Sequence, residues 1–273
     1  MSDFERDGTM AVAGRRLTWR ALGAGPPLLL VQGYAGSADD WPPDFLVALG
    51  RSFSVLAPDN RGMGGSELGD PAGLTIDSMA ADLEALLGEL AIDRVPVVGF
   101  SMGGFVAQAL AARAPERVEA LALFSTDPGG PEAIRAEPAD WGRLVDHSGT
   151  PSERASRMIS VVFPPEVAPD FDREFGELAA ASQAALDPAA LAAEERAMAE
   201  WWTASPAADP APSVAPVLIG HGAEDVVIPP GNAELLAARF PSAWVELFAA
   251  AGHAFPAQRP EAAADLVASE LRT

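Results

Sequence analysis

Short apolar runs recur along the chain between polar segments rich in glycine and proline. Six of them read as sheet strands: 28–32, 54–57, 95–99, 120–124, 217–220 and 244–248. Several are apolar throughout, the pattern of strands covered on both faces. Residues 9–21 read as an initial antiparallel pair. A helix opens at Thr75 and runs to about Leu90, with Leu83, Leu86, Leu87 and Leu90 at helical spacing. Another closes the chain over 260–271. Strands alternating with helices predict an α/β fold, a mostly parallel sheet with helices on both faces. Such a sheet binds its ligand outside the carboxyl ends of its strands.

The alternation stops near Thr126. Breaks at Pro128, Pro131, Pro138, Pro164, Pro165, Pro169, Pro206, Pro210 and Pro212 separate helical stretches near 152–162, 172–186 and 188–204, with no convincing strand. The pattern divides the chain into a core, 1–125 with 213–273, and a helical cap inserted at 126–212. The cap carries Trp141, Met158, Phe163, Phe171, Phe175, Met198, Trp201 and Trp202. Any one of these side chains reads as packing; together they suggest an apolar pocket roof. Shortening Trp201 or Trp202 is then expected to shift preference between small and bulky acyl groups.

Candidate chemistry concentrates at the strand ends. The run Pro96-Val97-Val98-Gly99-Phe100-Ser101-Met102-Gly103-Gly104 reads as a buried strand, a G-x-S-x-G turn and the start of a helix. In that context the serine stands at the apex of a nucleophile elbow, with small residues two before and two after it. The following helix directs unpaired N–H groups and its positive end toward the serine, where negative charge develops in acyl transfer. A serine nucleophile needs a base and an acid to orient that base. The chain has three histidines, His147, His221 and His253. His253 lies in a small-residue loop after the strand 244–248 and reads as the base. His221 reads as a loop-packing residue and His147 as a polar residue of the variable region. Asp225, after the strand 217–220, reads as the orienting acid, with Asp127 after the strand 120–124 as its rival.

Five segments in order carry a family resemblance: Leu28 to Ser37, Ala57 to Ser66, the elbow, the Asp225 loop and the His253 loop. The chain resembles the α/β-hydrolase fold family over most of its length. It is most similar to the group containing cofactor-free haloperoxidases (perhydrolases), oxoadipate enol-lactonases and small carboxylesterases. The order Ser101, Asp225, His253 is the one that family uses. The resemblance implies an oxyanion hole built from the N–H groups of Met102 and Tyr34, and no metal or organic cofactor. Tyr34 is the only tyrosine; its hydroxyl touches the substrate or wedges into the core edge, and its backbone role depends on neither. The family often has His-Gly where this chain has Gln32-Gly33. The expected activity is hydrolysis of a small, mainly apolar ester, lactone or related acyl compound. The alternatives are perhydrolysis, carbon–carbon bond cleavage or a non-hydrolytic reaction on the same scaffold, and a ligand-binding, receptor-like protein with little turnover.

Composition narrows the partners. A chain of 273 residues with 49% hydrophobic residues can build one large α/β domain. Its formal net charge of −21, with every basic residue an arginine, should repel nucleic acid and anionic membranes. The expected partner is a small-molecule substrate. No run approaches the roughly 18 apolar residues of a membrane span, and the first residues lack the basic-then-apolar order of a secretory signal. The absence of cysteine excludes disulfides and thiolate metal sites and fits a cytoplasmic location. The glycine-rich run from Asp59 to Ser66 has no P-loop lysine and reads as a tight turn held by Asp59 and Arg61.

Overall fold

The computed structural model describes residues 5–204 and 216–271. Strands β1 (Arg6–Val12) and β2 (Arg15–Leu22) pair antiparallel across Ala13 and Gly14, whose φ angles are 49° and 78°. Two positive φ angles are what a two-residue hairpin of this twist requires. Strands β3 (Pro27–Val31), β4 (Ser54–Pro58), β5 (Val95–Phe100), β6 (Val118–Phe124), β7 (Val217–Gly222) and β8 (Trp244–Phe248) run parallel. The spatial order is β1-β2-β4-β3-β5-β6-β7-β8. All six parallel strands therefore end on one edge, and β5 lies at the middle of that edge.

Helices cover both faces: α1 (Pro43–Gly50), α2 (Ile76–Glu89), α3 (Met102–Arg113), α8 (Asn232–Arg239), α9 (Phe255–Gln258) and α10 (Pro260–Glu270), with α4 (Pro138–Leu144), α5 (Pro151–Val162), α6 (Ala168–Ala185) and α7 (Pro188–Thr203) between β6 and β7. Successive strand residues point to opposite faces, so each strand feeds two cores. Leu29, Val97, Leu121 and Ile219 pack with Leu83, Phe105 and Leu236 of α2, α3 and α8. Leu28, Val98, Ala122 and Leu218 pack with Phe45, Phe255 and Val267 of α1, α9 and α10. The glycine-rich turn after β4 is structural, as its sequence suggests. Asp59 accepts from Ala38 N at 2.8 Å, Thr18 Oγ1 at 2.6 Å and Gly65 N at 3.0 Å, while Arg61 pairs with Asp82 at 2.6 Å. Among the described residues no helix is long and apolar enough to cross a membrane.

Between β6 and β7 the described residues hold helices and no strand. Helix α6 begins at Ala168, before the expected 172, because Pro169 sits in its first turn, where a missing N–H costs nothing. The short helices α1 and α4, which the apolar pattern did not reveal, also open on a proline. The expected breaks at Pro206, Pro210 and Pro212, and the cap boundary after 212, lie outside the described residues.

Trp201 and Trp202 pack, as each reads when taken singly. Their indole N–H groups donate to Asp127 Oδ1 at 3.2 Å and Oδ2 at 2.8 Å. Trp201 stacks on Phe105 of α3 at 5.3 Å between ring centroids, and Trp202 meets the same ring edge-on at 5.9 Å. Arg135 lies 3.4 Å over the Trp202 ring. Both indoles are buried, and their two N–H groups pull them toward a carboxylate that apolar patterning does not show. They anchor α7 to the core. Trp202→Phe keeps the ring and deletes one donor to a buried carboxylate, so it should cost about 1–3 kcal/mol of stability. Acyl chain-length preference should not change. Thermal melts and an ester series on the purified variant check both halves.

Candidate active site

Ser101 occupies the sharp turn between β5 and α3 at φ 54° and ψ −124°. For a residue with a Cβ this is a strained conformation, held only where the surroundings dictate it. They do so through backbone contacts. Ser101 N donates to Phe124 O at 2.9 Å, and Thr126 Oγ1 donates to Ser101 O at 2.8 Å. The small residues around it are needed for space. A Cβ on Gly103 would lie 2.1 Å from Val31 O, and one on Gly33 would lie 3.0 Å from Ser101 Cβ. The loop after β3 thus presses directly on the serine. Ser101 itself is 8% exposed. The first turn of α3 points its N–H groups and positive end at the serine.

Asp225, after β7, and His253, after β8, meet beyond the ends of those two strands. His253 Nδ1 lies 2.9 Å from Asp225 Oδ2. Asp225 Oδ1 accepts from Val227 N and Ile228 N, each at 2.9 Å, which fixes the carboxylate's orientation. His221 Nε2 approaches Asp225 Oδ2 at 3.2 Å and Ile228 O at 2.7 Å. The carbonyl of Ile228 can only accept, so His221 carries its proton on Nε2 and steadies the acid as well as the loop. Burial alone would raise the Asp225 pKa, but the electrostatic pull of the adjacent His253 and hydrogen bonds from both imidazoles outweigh it. The carboxyl is held well below the ordinary range. A carboxylate on Nδ1 keeps the His253 proton there and leaves Nε2 free to accept one.

Ser101 and His253 are tied to consecutive residues. Ser125 Oγ donates to His253 O at 2.8 Å, next to the Thr126 contact with Ser101 O. The Phe100 ring packs against the His253 imidazole at 5.1 Å. Ser125, at φ 45°, thus fixes the backbone of the His253 loop. Asp127 points elsewhere. It accepts from the two indoles and from Gly129 N at 2.8 Å, and burial raises its pKa against those hydrogen bonds and the charge of Arg135. A cavity of about 290 Å³ beside it is lined by Arg135, Trp141 and Trp202, and by none of Ser101, Tyr34 or His253.

The loop after β3 has one unused backbone donor among the described residues. Gly33 N donates to the Gln32 side chain at 2.9 Å, Ala35 N to Glu194 Oε2 at 2.8 Å, and Gly36 N to Gly33 O at 3.3 Å. Among the described residues Tyr34 N–H has no acceptor. Met102, the first residue of α3, has no intrahelical acceptor for its own N–H. Gln32 thus supplies the loop with an acceptor from its own side chain. The Tyr34 hydroxyl, for which two roles stood open, donates to Glu195 Oε1 at 2.7 Å, with His147 Nε2 at 3.3 Å. Burial first, then this bond and the nearby carboxylates, raises its pKa. Glu194 and Glu195 are the site neighbours that the sequence did not reveal. Among the described residues no group of three or more His, Cys, Asp or Glu side chains is arranged to hold a metal ion.

Comparison with known proteins identifies the fold family. The family described as alpha/beta hydrolase fold matches residues 26–260. The chain belongs to that family. A provisionally named non-heme chloroperoxidase of Synechocystis sp. is 37% identical over 108 residues, 39% of this chain and 39% of that protein. The match therefore spans well under half of that curated relative. A hydrolase from Pseudomonas aeruginosa superposes with a TM-score of 0.81 at 28% identity, covering 98% of this chain and 99% of that one. The enol-lactonase from Burkholderia xenovorans gives 0.77 at 26% identity, covering 97% and 99%. The family resemblance carried by the five sequence segments is borne out, as are the mostly parallel sheet and the two helical layers.

Proposed function

We propose that this protein is a serine hydrolase of small, mainly apolar esters, lactones or related acyl compounds. The observation that carries the reading is the 2.9 Å contact of Asp225 with His253 Nδ1, at the sheet edge where Ser101 sits at φ 54°. Ser101 Oγ attacks the acyl carbon while His253 Nε2 takes its proton. Negative charge forms on the carbonyl oxygen, and the N–H groups of Met102 and Tyr34 hold it. Collapse expels the alcohol, which takes the proton from His253. Water then attacks the acyl-enzyme with His253 as base, and the acid leaves. Each oxyanion donor contributes about 2.7–4 kcal/mol to the transition state. Asp225 stabilises the charged imidazole without taking its proton. The segment 126–212 acts as a cap over the strand ends and sets acyl preference.

The name of the Synechocystis relative favours a second reading, perhydrolysis, in which hydrogen peroxide replaces water at the acyl-enzyme and a peracid leaves. Both readings need Ser101. A fluorophosphonate probe should label the protein at that residue, and a panel of esters and lactones of graded size, with and without peroxide, should separate the two. An unlabelled protein that turns over nothing on the panel would instead favour a ligand-binding role.

A further inference from the structure

Helix α7 sets two consecutive carboxyls against the loop that follows β3. Glu194 is fully buried. Its Oε2 accepts the Ala35 N–H at 2.8 Å, while its Oε1 has no partner among the described residues. Glu195 accepts the Tyr34 hydroxyl at 2.7 Å and meets His147 Nε2 at 2.7 Å. The neighbours of Glu194 on α7, Ala190, Leu191, Ala193 and Ala197, are buried and apolar. A carboxyl among them with one oxygen unpaired is a costly group for packing alone. Ala35, which it holds, sits at φ 58°, a left-handed conformation that alanine rarely adopts.

The contact falls beside the unused donor. Tyr34 is flanked by two peptide groups, and each is held by one hydrogen bond. The Gly33 carbonyl, in the peptide carrying the Tyr34 N–H, accepts from Gly36 N; the Ala35 N–H, in the peptide after Tyr34, donates to Glu194. We propose that Glu194 is a positioning residue for the oxyanion site: by gripping the Ala35 N–H it aims the Tyr34 N–H, and it joins the seating of α7 to the completion of that site. The proposal rests on the hydrolase reading, in which Tyr34 N–H holds the oxyanion. Glu194 touches no reacting atom and acts only through the loop.

Charge distinguishes this role from packing. The groups facing Glu194 are Glu195 on the same helix and, on the loop, the Ala35 N–H and Tyr34; His147, from the loop after α4, faces it through Glu195. Among the described residues no cation pairs with it. Burial pushes its carboxyl up to about 8, against the pull of the Ala35 N–H and with the help of Glu195. Below that pH a neutral carboxyl holds the loop. Above it, a buried negative charge stands one residue from the donor of the oxyanion. The unfolded carboxyl titrates near 4.3. Stability is therefore fully present below that value and is lost as pH rises toward about 8.

The test compares wild type, Glu194→Gln, Glu194→Leu and Ser101→Ala on p-nitrophenyl butyrate from pH 5 to 9.5, with thermal melts across the same range. Glu194→Leu should lose on the order of tenfold to a hundredfold in kcat with KM little changed, the scale of a misaimed group. Glu194→Gln keeps an oxygen for the Ala35 N–H and should recover most of that loss. Wild-type kcat should fall above about pH 8, and the Gln variant should lack that step. The Tm of the Gln variant should gain on wild type as pH rises from 5 to about 8 and hold that gain above it. A folded Leu variant with wild-type kcat overturns the proposal. So do Gln and Leu variants that lose kcat equally, or pH profiles of wild type and Gln that coincide. If the Leu variant does not fold, the Gln profiles decide. Turnover that survives in Ser101→Ala defeats the hydrolase reading instead; with Ser101→Ala inactive, the Glu194 outcomes judge the positioning role alone.

Discussion

Ser101→Ala is expected to cost about 10⁴–10⁶ in kcat while leaving the melting curve almost unchanged, the residue of activity coming from the oxyanion donors and binding. The two halves of this expectation have separate origins. Among the described residues the Ser101 hydroxyl bonds to nothing, and the contacts that hold the turn run through its backbone N–H and carbonyl. Alanine retains both groups. It also retains the Cβ, so the strain of φ 54° is the same in both proteins; Ala13 and Ala35 adopt similar angles elsewhere in the chain. The fold thus loses nothing that it uses, while the chemistry loses its nucleophile. Steady-state kinetics on an ester that the wild type turns over, with melts alongside, measure both. A purified Ser101→Ala protein with wild-type turnover ends the hydrolase reading.

Much of this site was legible because its signals are local. The elbow is nine consecutive residues, Pro96 to Gly104, and its glycines are demanded by atoms that lie close in space, Val31 O above all. The parallel strands announced themselves as apolar runs, and each proposed site residue follows one of them. The choice between Asp225 and Asp127 was not local. Both follow a strand, and the order of strands distinguishes them: β7 borders β8, whose end carries His253, whereas β6 is one strand further away. The orientation of the tryptophans was not local either. Their apolar bulk signalled burial, but the direction they face is set by Asp127, 74 and 75 positions away. Glu194 gave no signal. It lies in an alanine- and glutamate-rich helical stretch where a glutamate reads as solvent-facing, and its partner Ala35 is 159 positions distant.

Asp225→Asn should be the second most damaging change, at about 10⁴ in kcat by analogy with the serine-protease acid, and far worse than Asp127→Asn. The hydrogen bonds dictate how the new amide must lie. Val227 N and Ile228 N both donate to Oδ1, so that position must remain an oxygen. The amide nitrogen then falls at Oδ2, facing His253 Nδ1 at the present 2.9 Å. Two donors cannot share that contact. The imidazole must give up its Nδ1 proton and carry it on Nε2, where it can no longer accept one from Ser101. The charge that stabilised the imidazolium is lost as well. At Asp127 the same substitution sets an amide N–H against an indole N–H, that of Trp202 or of Trp201. The cost there is stability, about 1–3 kcal/mol, because a buried donor goes unpaired. The measurement is kcat for each variant together with its melt. Activity near normal in Asp225→Asn, with a folded Asp127→Asn that is inactive, would transfer the acid's role to Asp127.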